Sequence, residues 1–281
     1  MKFGMNLLLW TAEVTDKHYP LLVSLKDMGY DGVEVPLFSF DTKKCAELGT
    51  MLKRIGLEST AVTICTGDEN PISPRSGVRR AGLDRIKSAI DCTVALGGNI
   101  LCGPFHSALG LLTGAGPTKN EWEWGKDVLH DAGDHAEEAG ITLAVEALNR
   151  YECYFLNSVG QVAQFCHEID HPNVGAMYDT FHAHIEEKCP HEAVEKLRNC
   201  LAHVHISEND RSTPGEGQVD FQSTFDALTN IDYDGWLTIE AFGMAMPQLA
   251  AATKIWRKMY QTENMLAKKG LHFMKSWAAP N

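Results

Sequence analysis

The sequence contains no long hydrophobic run. None of its apolar stretches reaches the roughly 18 consecutive residues that a membrane-crossing helix needs. The N-terminal segment "MKFGMNLLLWTAEV" has too short an apolar stretch for a secretory signal, and no small-residue cleavage site follows it. We therefore expect a cytoplasmic protein that does not bind membranes.

Basic residues are also in short supply. The 281 residues include 25 Lys and Arg against 37 Asp and Glu, which gives a formal net charge of -12. A nucleic-acid-binding surface needs a basic stripe that neutralises phosphates, so this balance argues against a nucleic-acid partner. It favours a small neutral ligand, or one that is held through a cation.

The cysteines lack any paired spacing. The eight of them, at positions 45, 65, 92, 102, 153, 166, 189 and 200, form no CxxC motif, and most lie in apolar segments. Scattered cysteines of this kind are typical of free thiols in a reducing compartment.

Short apolar or β-branched runs alternate with amphipathic stretches along the whole chain. The runs predict strands at 3–9, 32–36, 58–64, 99–103, 141–146, 173–179, 202–206 and 236–240. The stretches between and after them predict helices at 18–28, 42–55, 78–96, 121–139, 158–169, 190–199, 221–229 and 247–268. Eight such alternations predict one α/β domain over residues 1–281, a (β/α)8 TIM barrel. A doubly wound open sheet is the alternative, but the first strand is not followed by its GxGxxG turn.

Four consecutive late strands end in acidic or imidazole side chains. Alternate side chains of a barrel strand face the interior, and functional groups come from the C-terminal ends of the strands. With the apolar residues facing the helices, the last inward residues of these strands are Glu146, Asp179, His205 and Glu240. The same rule turns His203 inward one step lower, where we interpret it as a core residue that can support a ligand from below.

Three carboxylates and an imidazole in one space would repel and raise one another's pKa values unless a cation is present. The parity therefore predicts a divalent metal bound by Glu146, Asp179, His205 and Glu240. This oxygen-rich donor set suits Mn2+, Mg2+ or Co2+ better than a structural zinc. Further polar residues follow the strands at 149, 150, 152, 182, 207–209 and 211, and the turn "STPGEG" (212–217) is a weaker candidate for a phosphate cradle.

Four segments resemble the ketose 3-epimerases, the D-tagatose, D-psicose (D-allulose) and L-ribulose 3-epimerases among the xylose isomerase-like barrels. They are "EALNRYE" (146–152), "DTFHAHIEE" (179–187), "HVHISENDRSTPGEG" (203–217) and "GWLTIEAF" (235–242). The resemblance is weaker but collinear in the first half, including "MKFGMNLLLW" and "GYDGVEV".

The resemblance implies a metal-dependent isomerase that epimerises C3 of a 2-ketose through an enediolate. It implies that the same four ligands hold a divalent cation, usually manganese, and that Glu146 and Glu240 also act as acid and base. Glu152, His182 and Arg211 would hold the reducing-end oxygens of the sugar. Independently of the resemblance, the C-terminal segment "FGMAMPQLAAATKIWRKMY" is interpreted first as the eighth barrel helix. It has apolar residues beyond what one barrel face needs, so packing against a partner subunit is the alternative, and a homodimer or homotetramer is expected.

The resemblance is incomplete at the far end of the sugar. Members that act on six-carbon ketoses tend to have aromatic residues near the positions of Asn6, Val14 and Leu109, and only Trp10 remains in that neighbourhood. The identity of the ketose, free or phosphorylated, stays open.

A related reaction on the same fold, of the hydroxypyruvate isomerase or inosose dehydratase type, is the alternative to epimerisation. An apurinic endonuclease would need more histidine ligands and a basic face, and a sugar-binding protein without activity would be expected to lack one of the two glutamates.

Overall fold

The computed structural model describes residues 1–278, and eight parallel strands in it form a closed barrel in chain order. The last strand pairs with the first, so the sheet has no free edge. The strands are β1 Lys2–Asn6, β2 Gly32–Pro36, β3 Glu58–Val62, β4 Ile100–Gly103, β5 Thr142–Glu146, β6 Val174–Asp179, β7 Leu201–Ile206 and β8 Trp236–Ile239.

Helices follow the strands and cover the outside of the barrel. They are α1 Tyr19–Met28, α2 Thr42–Ile55, α3 Ser76–Leu96, α4 Lys119–Ala139, α5 Val159–Ile169, α6 Thr180–Glu186, α7 Pro190–Lys196, α8 Phe221–Asn230, α9 Pro247–Thr253 and α10 Glu263–Ala278. The predicted fold, a single TIM barrel domain, is thereby confirmed. Residues 279–281 of the predicted domain lie outside the described residues.

The predicted inward and outward parity of the late strands holds. Leu143 and Val145 of β5 belong to the large core between sheet and helices. Ala144 lies in a second cluster inside the barrel, together with Met177 and Trp236. The side chains at the strand ends are therefore displayed on the inside of the barrel, as the alternation requires.

Two elements near the site differ from their prediction. Strand β1 ends at Asn6 rather than at residue 9, and Leu7–Leu9 form a 3-10 helix. Asn6 caps this turn, because its Oδ1 accepts a hydrogen bond from the Leu8 amide at 2.8 Å. Helix α6 was not predicted at all, so His182 lies in a helix and not in a loop.

The predicted continuous helix over 247–268 is wrong. Helix α9 stops at Thr253, where Lys254 takes the left-handed conformation with φ 61°, and α10 starts only at Glu263. The residues between them are apolar enough to continue a helical pattern. They instead pack against the loop after β8, where Ile255 is buried and the Tyr260 ring lies against Gly243, which has no side chain.

Two expectations from composition can be compared with the described residues. None of the helices within residues 1–278 combines the length and the apolar character that a membrane-crossing helix requires. All eight cysteines are free thiols, as their spacing predicted.

Candidate active site

The C-terminal ends of β5 to β8 bring three carboxylates and one imidazole together. One ligand atom from each of Glu146, Asp179, His205 and Glu240 lies within 4.8 Å of the corresponding atoms of the other three. All four side chains are buried, with no residue more than 6% exposed. The structure thus places the four residues selected by strand parity in one space, and their role as ligands stays a prediction.

Strand pairing and a helix start fix two of these residues. Asp179 and His205 are direct neighbours in the register of β6 and β7. Asp179 is also the N-cap of α6, since its Oδ1 accepts a hydrogen bond from the Phe181 amide at 2.7 Å. Only Oδ2 is left to face the site, so the cap determines which oxygen Asp179 offers.

One ring nitrogen of His205 has a hydrogen-bond partner and the other has none. Its Nε2 lies 2.7 Å from Glu34 Oε1. Its Nδ1 is buried without a hydrogen-bond partner and lies 3.8 Å from Asp179 Oδ2 and 3.7 Å from Glu240 Oε1. A buried ring nitrogen that faces carboxylates and has no partner is the arrangement that a divalent cation would complete. The donor set present therefore fits the predicted metal.

The carboxylates have different electrostatic surroundings. Burial, reinforced by the negative charges of Glu240 and Asp179, raises the pKa of Glu146 well above its usual range. Burial also acts to raise the pKa of Asp179, but the Arg211 guanidinium and His205 outweigh it and hold that pKa below its usual range. Buried carboxylates whose pKa values are displaced in opposite directions are typical of functional sites.

Arg211 is the cation that the chain itself supplies. Its Nη1 donates to Glu240 Oε2 at 2.7 Å and to Asp179 Oδ2 at 3.2 Å. The guanidinium lies over the Phe181 ring at 3.7 Å and faces the Phe242 ring at 5.0 Å. Arg211 takes a left-handed backbone conformation, with φ 62°. Such a conformation costs about 1–2 kcal/mol for a side chain of this type and is common where a functional group must be aimed.

His182 and Glu152 lie beside this group and share one partner. Asn149 donates to His182 Nδ1 from its backbone amide at 3.0 Å and to Glu152 Oε1 from its side chain at 2.8 Å. His182 Nε2 then faces Glu146 Oε1 at 3.4 Å and Arg211 Nη2 at 3.1 Å. The structure brings all three predicted substrate-binding residues to the edge of the carboxylate group, and their role is untested.

The family described as xylose isomerase-like TIM barrel matches residues 22–277 of the chain. A ketose 3-epimerase of Arthrobacter globiformis is 30% identical over 285 residues, covering 98% of this chain and 96% of the relative. The chain belongs to the ketose 3-epimerase family. An L-ribulose 3-epimerase of Methylomonas sp. is 29% identical and covers 98% of this chain and 97% of its own. A D-allulose 3-epimerase of Methylomonas sp., solved in complex with D-allulose, superposes with a TM-score of 0.92 at 28% identity, covering 98% and 96% of the two chains.

Sequence reasoning missed the polar residues that support this ketose 3-epimerase site from the early strands. Glu34 of β2 is fully buried, and so are Asn6 of β1 and Cys102 of β4. In the loop after β4, His106 Nε2 donates to the Glu146 carbonyl oxygen at 2.9 Å. The signal was available for the strand residues, because the parity rule applied to β5 to β8 also turns Asn6 and Glu34 inward.

The turn "STPGEG" (212–217), the weaker candidate for a phosphate cradle, already surrounds a carboxylate. Glu208 Oε2 accepts a hydrogen bond from the Gly215 amide at 2.8 Å, and its Oε1 accepts from the Gln218 amide at 3.0 Å and the Val219 amide at 3.1 Å. The loop is therefore folded around its own carboxylate. A phosphate would have to displace that negative charge before it could reach these amides.

The positions that depart from the six-carbon pattern have different surroundings. Asn6 faces the carboxylates, since its Nδ2 donates to Glu34 Oε1 at 2.9 Å and to Glu240 Oε1 at 3.3 Å. Leu109 is 39% exposed in the loop after β4. Trp10 and Val14 are half-buried and pack against the main core. Asn6 therefore belongs to the carboxylate network rather than to an apolar pocket wall.

Proposed function

We propose that this chain epimerises C3 of a 2-ketose by removing a proton from one face of the sugar and returning a proton to the other. The observation that carries the proposal is the pair of buried glutamates at the end of β5 and just after β8, Glu146 and Glu240, which meet beside His205 and Asp179. Membership of the ketose 3-epimerase family supports the reaction class.

Glu146, Asp179, His205 and Glu240 would hold a divalent cation, for which Mn2+ is the first candidate and Mg2+ or Co2+ are alternatives. When bound, such a cation polarises a carbonyl oxygen as a Lewis acid, which acidifies the neighbouring C–H bond. The partnerless Nδ1 of His205 supports this assignment on the side of the protein.

The two glutamates would divide the proton transfers. One carboxylate takes the C3 proton, which leaves a planar carbon, and the protonated partner gives its proton to the opposite face. The configuration of the substrate decides which of the two acts first.

Arg211, His182 and Glu152 would orient the sugar. Arg211 and His182 place nitrogens beside Glu240 and Glu146, where they would donate to the oxygens next to C3. Glu152 is half-buried at the rim and is held by Asn149, where it can accept from a sugar hydroxyl.

The substrate we propose is a free ketose of the D-tagatose, D-psicose/D-fructose or L-ribulose type. The relatives support this range, because the Methylomonas structure contains D-allulose and another relative is an L-ribulose 3-epimerase. The amides of Gly215, Gln218 and Val219, which Glu208 already binds, give no support to a phosphorylated sugar.

Incubation of the protein with Mn2+ and each ketose in D2O tests the reaction. We expect both C3 epimers to appear and both to carry deuterium at C3, because the returned proton comes from a side chain that exchanges with solvent. An aldose or a dehydrated product would instead indicate the isomerase or dehydratase chemistry of related barrels. The absence of any change across the ketose panel would remove the proposal.

We also propose that the chain forms a homodimer or homotetramer. The segment between β8 and α10 exposes two large apolar side chains, with Trp256 69% and Met244 54% exposed. Covering them with the same segment of a second copy would remove apolar surface from water. Light scattering should give two or four chains per particle, and Trp256→Ser should shift that mass towards one chain. A monomer at all concentrations would contradict the proposal.

A further inference from the structure

Glu34 lies below the predicted metal ligands, at the centre of a second buried cluster. It is fully buried in the middle of β2 and points into the barrel. Five neighbours surround its two carboxylate oxygens. They are Asn6 Nδ2 at 2.9 Å and His205 Nε2 at 2.7 Å on Oε1, and Thr60 Oγ1 at 3.0 Å, Cys102 Sγ at 3.1 Å and His203 Nε2 at 2.8 Å on Oε2.

The residue types of this cluster would also allow a second cation. Ligand atoms of Glu34, Cys102, His203 and His205 lie within 4.8 Å of one another. A carboxylate, however, has about four lone-pair directions, and four donors already occupy those of Glu34: Asn6, His205, Thr60 and Cys102. The 2.7 Å distance from His205 Nε2 is that of a direct charge-assisted hydrogen bond, whereas His203 Nε2 lies 2.8 Å from Glu34 Oε2 without hydrogen-bond geometry. The cluster is therefore a hydrogen-bond network around the Glu34 carboxylate rather than a second cation site.

This network determines which nitrogen of His205 carries a proton. A ring that donates from Nε2 to Glu34 keeps its proton there and leaves the lone pair on Nδ1. Nδ1 is the nitrogen that faces Asp179 and Glu240 and has no hydrogen-bond partner. We propose that Glu34 is the positioning residue that fixes the Nε2–H tautomer and the ring orientation of His205, so that Nδ1 binds the divalent cation. This inference rests on the cation site proposed above.

The same network extends to the predicted acid/base residue Glu240. The Asn6 amide donates to both Glu34 Oε1 and Glu240 Oε1. Its orientation is fixed, because Asn6 Oδ1 accepts from the Leu8 amide. Glu34 thus supports two of the four predicted ligands, His205 directly and Glu240 through Asn6.

Glu34→Gln tests the inference with two readouts. Glutamine offers one acceptor oxygen and turns an NH2 group towards donors, so it cannot satisfy the same neighbours. Titration calorimetry should give Mn2+ binding about 10- to 100-fold weaker than in the wild type, the usual cost of losing such a partner of a metal-binding histidine. Nitrogen-15 NMR of Mg2+-loaded protein should show His205 protonated at Nε2 in the wild type and a population protonated at Nδ1 in the variant. His205→Gln identifies the signal.

Thr60→Val is the matched control. It removes a buried donor to the other oxygen of Glu34 and leaves the contact with His205 in place. We expect its Mn2+ affinity and its His205 signal to stay close to those of the wild type. If Glu34→Gln does not fold, Glu34→Asp replaces it in the test. Its side chain is one methylene shorter but keeps the carboxylate, so its Mn2+ affinity should fall by less than the roughly 10- to 100-fold expected for Glu34→Gln.

Unchanged affinity and an unchanged tautomer in the Glu34 variants would overturn the inference. An equal loss in Thr60→Val would also overturn it, because general packing would then be the cause. Two cations per wild-type chain, counted by electron paramagnetic resonance of Mn2+, would show that the lower cluster binds metal and would contradict the saturation of Glu34. If the wild type binds no cation, the proposed cation site itself is wrong. If the wild type and the Glu34 variants bind Mn2+ equally well, the cation site stands and only the role of Glu34 is wrong.

Discussion

At the scale of single residues, Glu146 and Glu240 share a chemistry and differ in their surroundings. Glu146 ends β5 beside His182, and Glu240 follows β8 under the Arg211 guanidinium. Both were found from sequence because strand parity, which depends only on backbone geometry, selects the last inward residue. Asn6 and Glu34 obey the same parity. Glu34 was missed, and the resemblance placed Asn6 at the far end of the sugar, because the role of a buried polar residue in an early strand depends on partners from distant strands.

Glu146→Gln and Glu240→Gln should each lower the turnover number for epimerisation by about 10²- to 10⁴-fold. Each substitution removes one of the two carboxylates that transfer the C3 proton. The remaining carboxylate can still exchange the C3 proton on its own face. In D2O each variant should therefore introduce deuterium into only one C3 epimer, and the two variants should select opposite epimers. Mass spectrometry of the recovered sugars measures this at a matched content of bound Mn2+. Exchange of the same epimer by both variants would contradict the division of roles.

Arg211→Lys should lower kcat/KM by about 10- to 100-fold, because hydrogen bonds between charged groups contribute about 1.5–3 kcal/mol. A lysine ammonium cannot reach Asp179 and Glu240 together or lie flat against Phe181. Arg150→Lys is the control, since Arg150 pairs with Glu186 on the rim and its side chain is 65% exposed. The guanidinium is open to solvent and touches none of the four central residues, so kcat/KM should stay near the wild-type value. Equal losses in both variants would remove the special role of Arg211.

At the scale of elements, the strands were more predictable than the helices that follow the late ones. Alternation and β-branched runs located all eight strands, although β1 was drawn three residues too long because "LLL" (7–9) continues its apolar pattern. Helix α6 was missed because "TFHAHIE" (180–186) is short and mixed in polarity. Helix α6 begins at the Asp179 N-cap. Asp179 is thus both a predicted metal ligand and a helix cap, and different substitutions can separate these two roles.

Asp179→Asn should keep α6 and lose the cation, whereas Asp179→Ala should lose both. Asparagine still offers an oxygen to the Phe181 amide and is as good an N-cap as aspartate. Without metal, the free energy of unfolding of Asp179→Asn should fall below that of the wild type, because Arg211 loses a buried charged partner while the cap is kept. That of Asp179→Ala should be lower still, by about 1 kcal/mol, because the cap is lost as well. Urea unfolding in a chelator measures the difference. Equal destabilisation by both substitutions would mean that the cap does not stabilise α6.

At the scale of the whole molecule, a cation bound by β5 to β8 would connect four of the eight strands of a closed barrel. The unfolded chain separates these ligands by more than 90 residues, from 146 to 240, so binding favours the folded state alone. Mn2+ at about 1,000 times its dissociation constant should raise the free energy of unfolding by about 4 kcal/mol. Chelation should reverse the increase.

The site of that stabilisation is tested by repeating the titration with Asp179→Asn. At the same Mn2+ concentration its gain should be much smaller, because one of the four ligands has lost its charge while the fold is kept. The exposed group His130, Asp131 and Asp134 on α4 is the internal comparison, since its residue types can also attract a cation. It lies on one helix that is already formed, so cations there would stabilise the barrel weakly. An equal gain in Asp179→Asn and in the wild type would place the stabilising cation away from the barrel mouth.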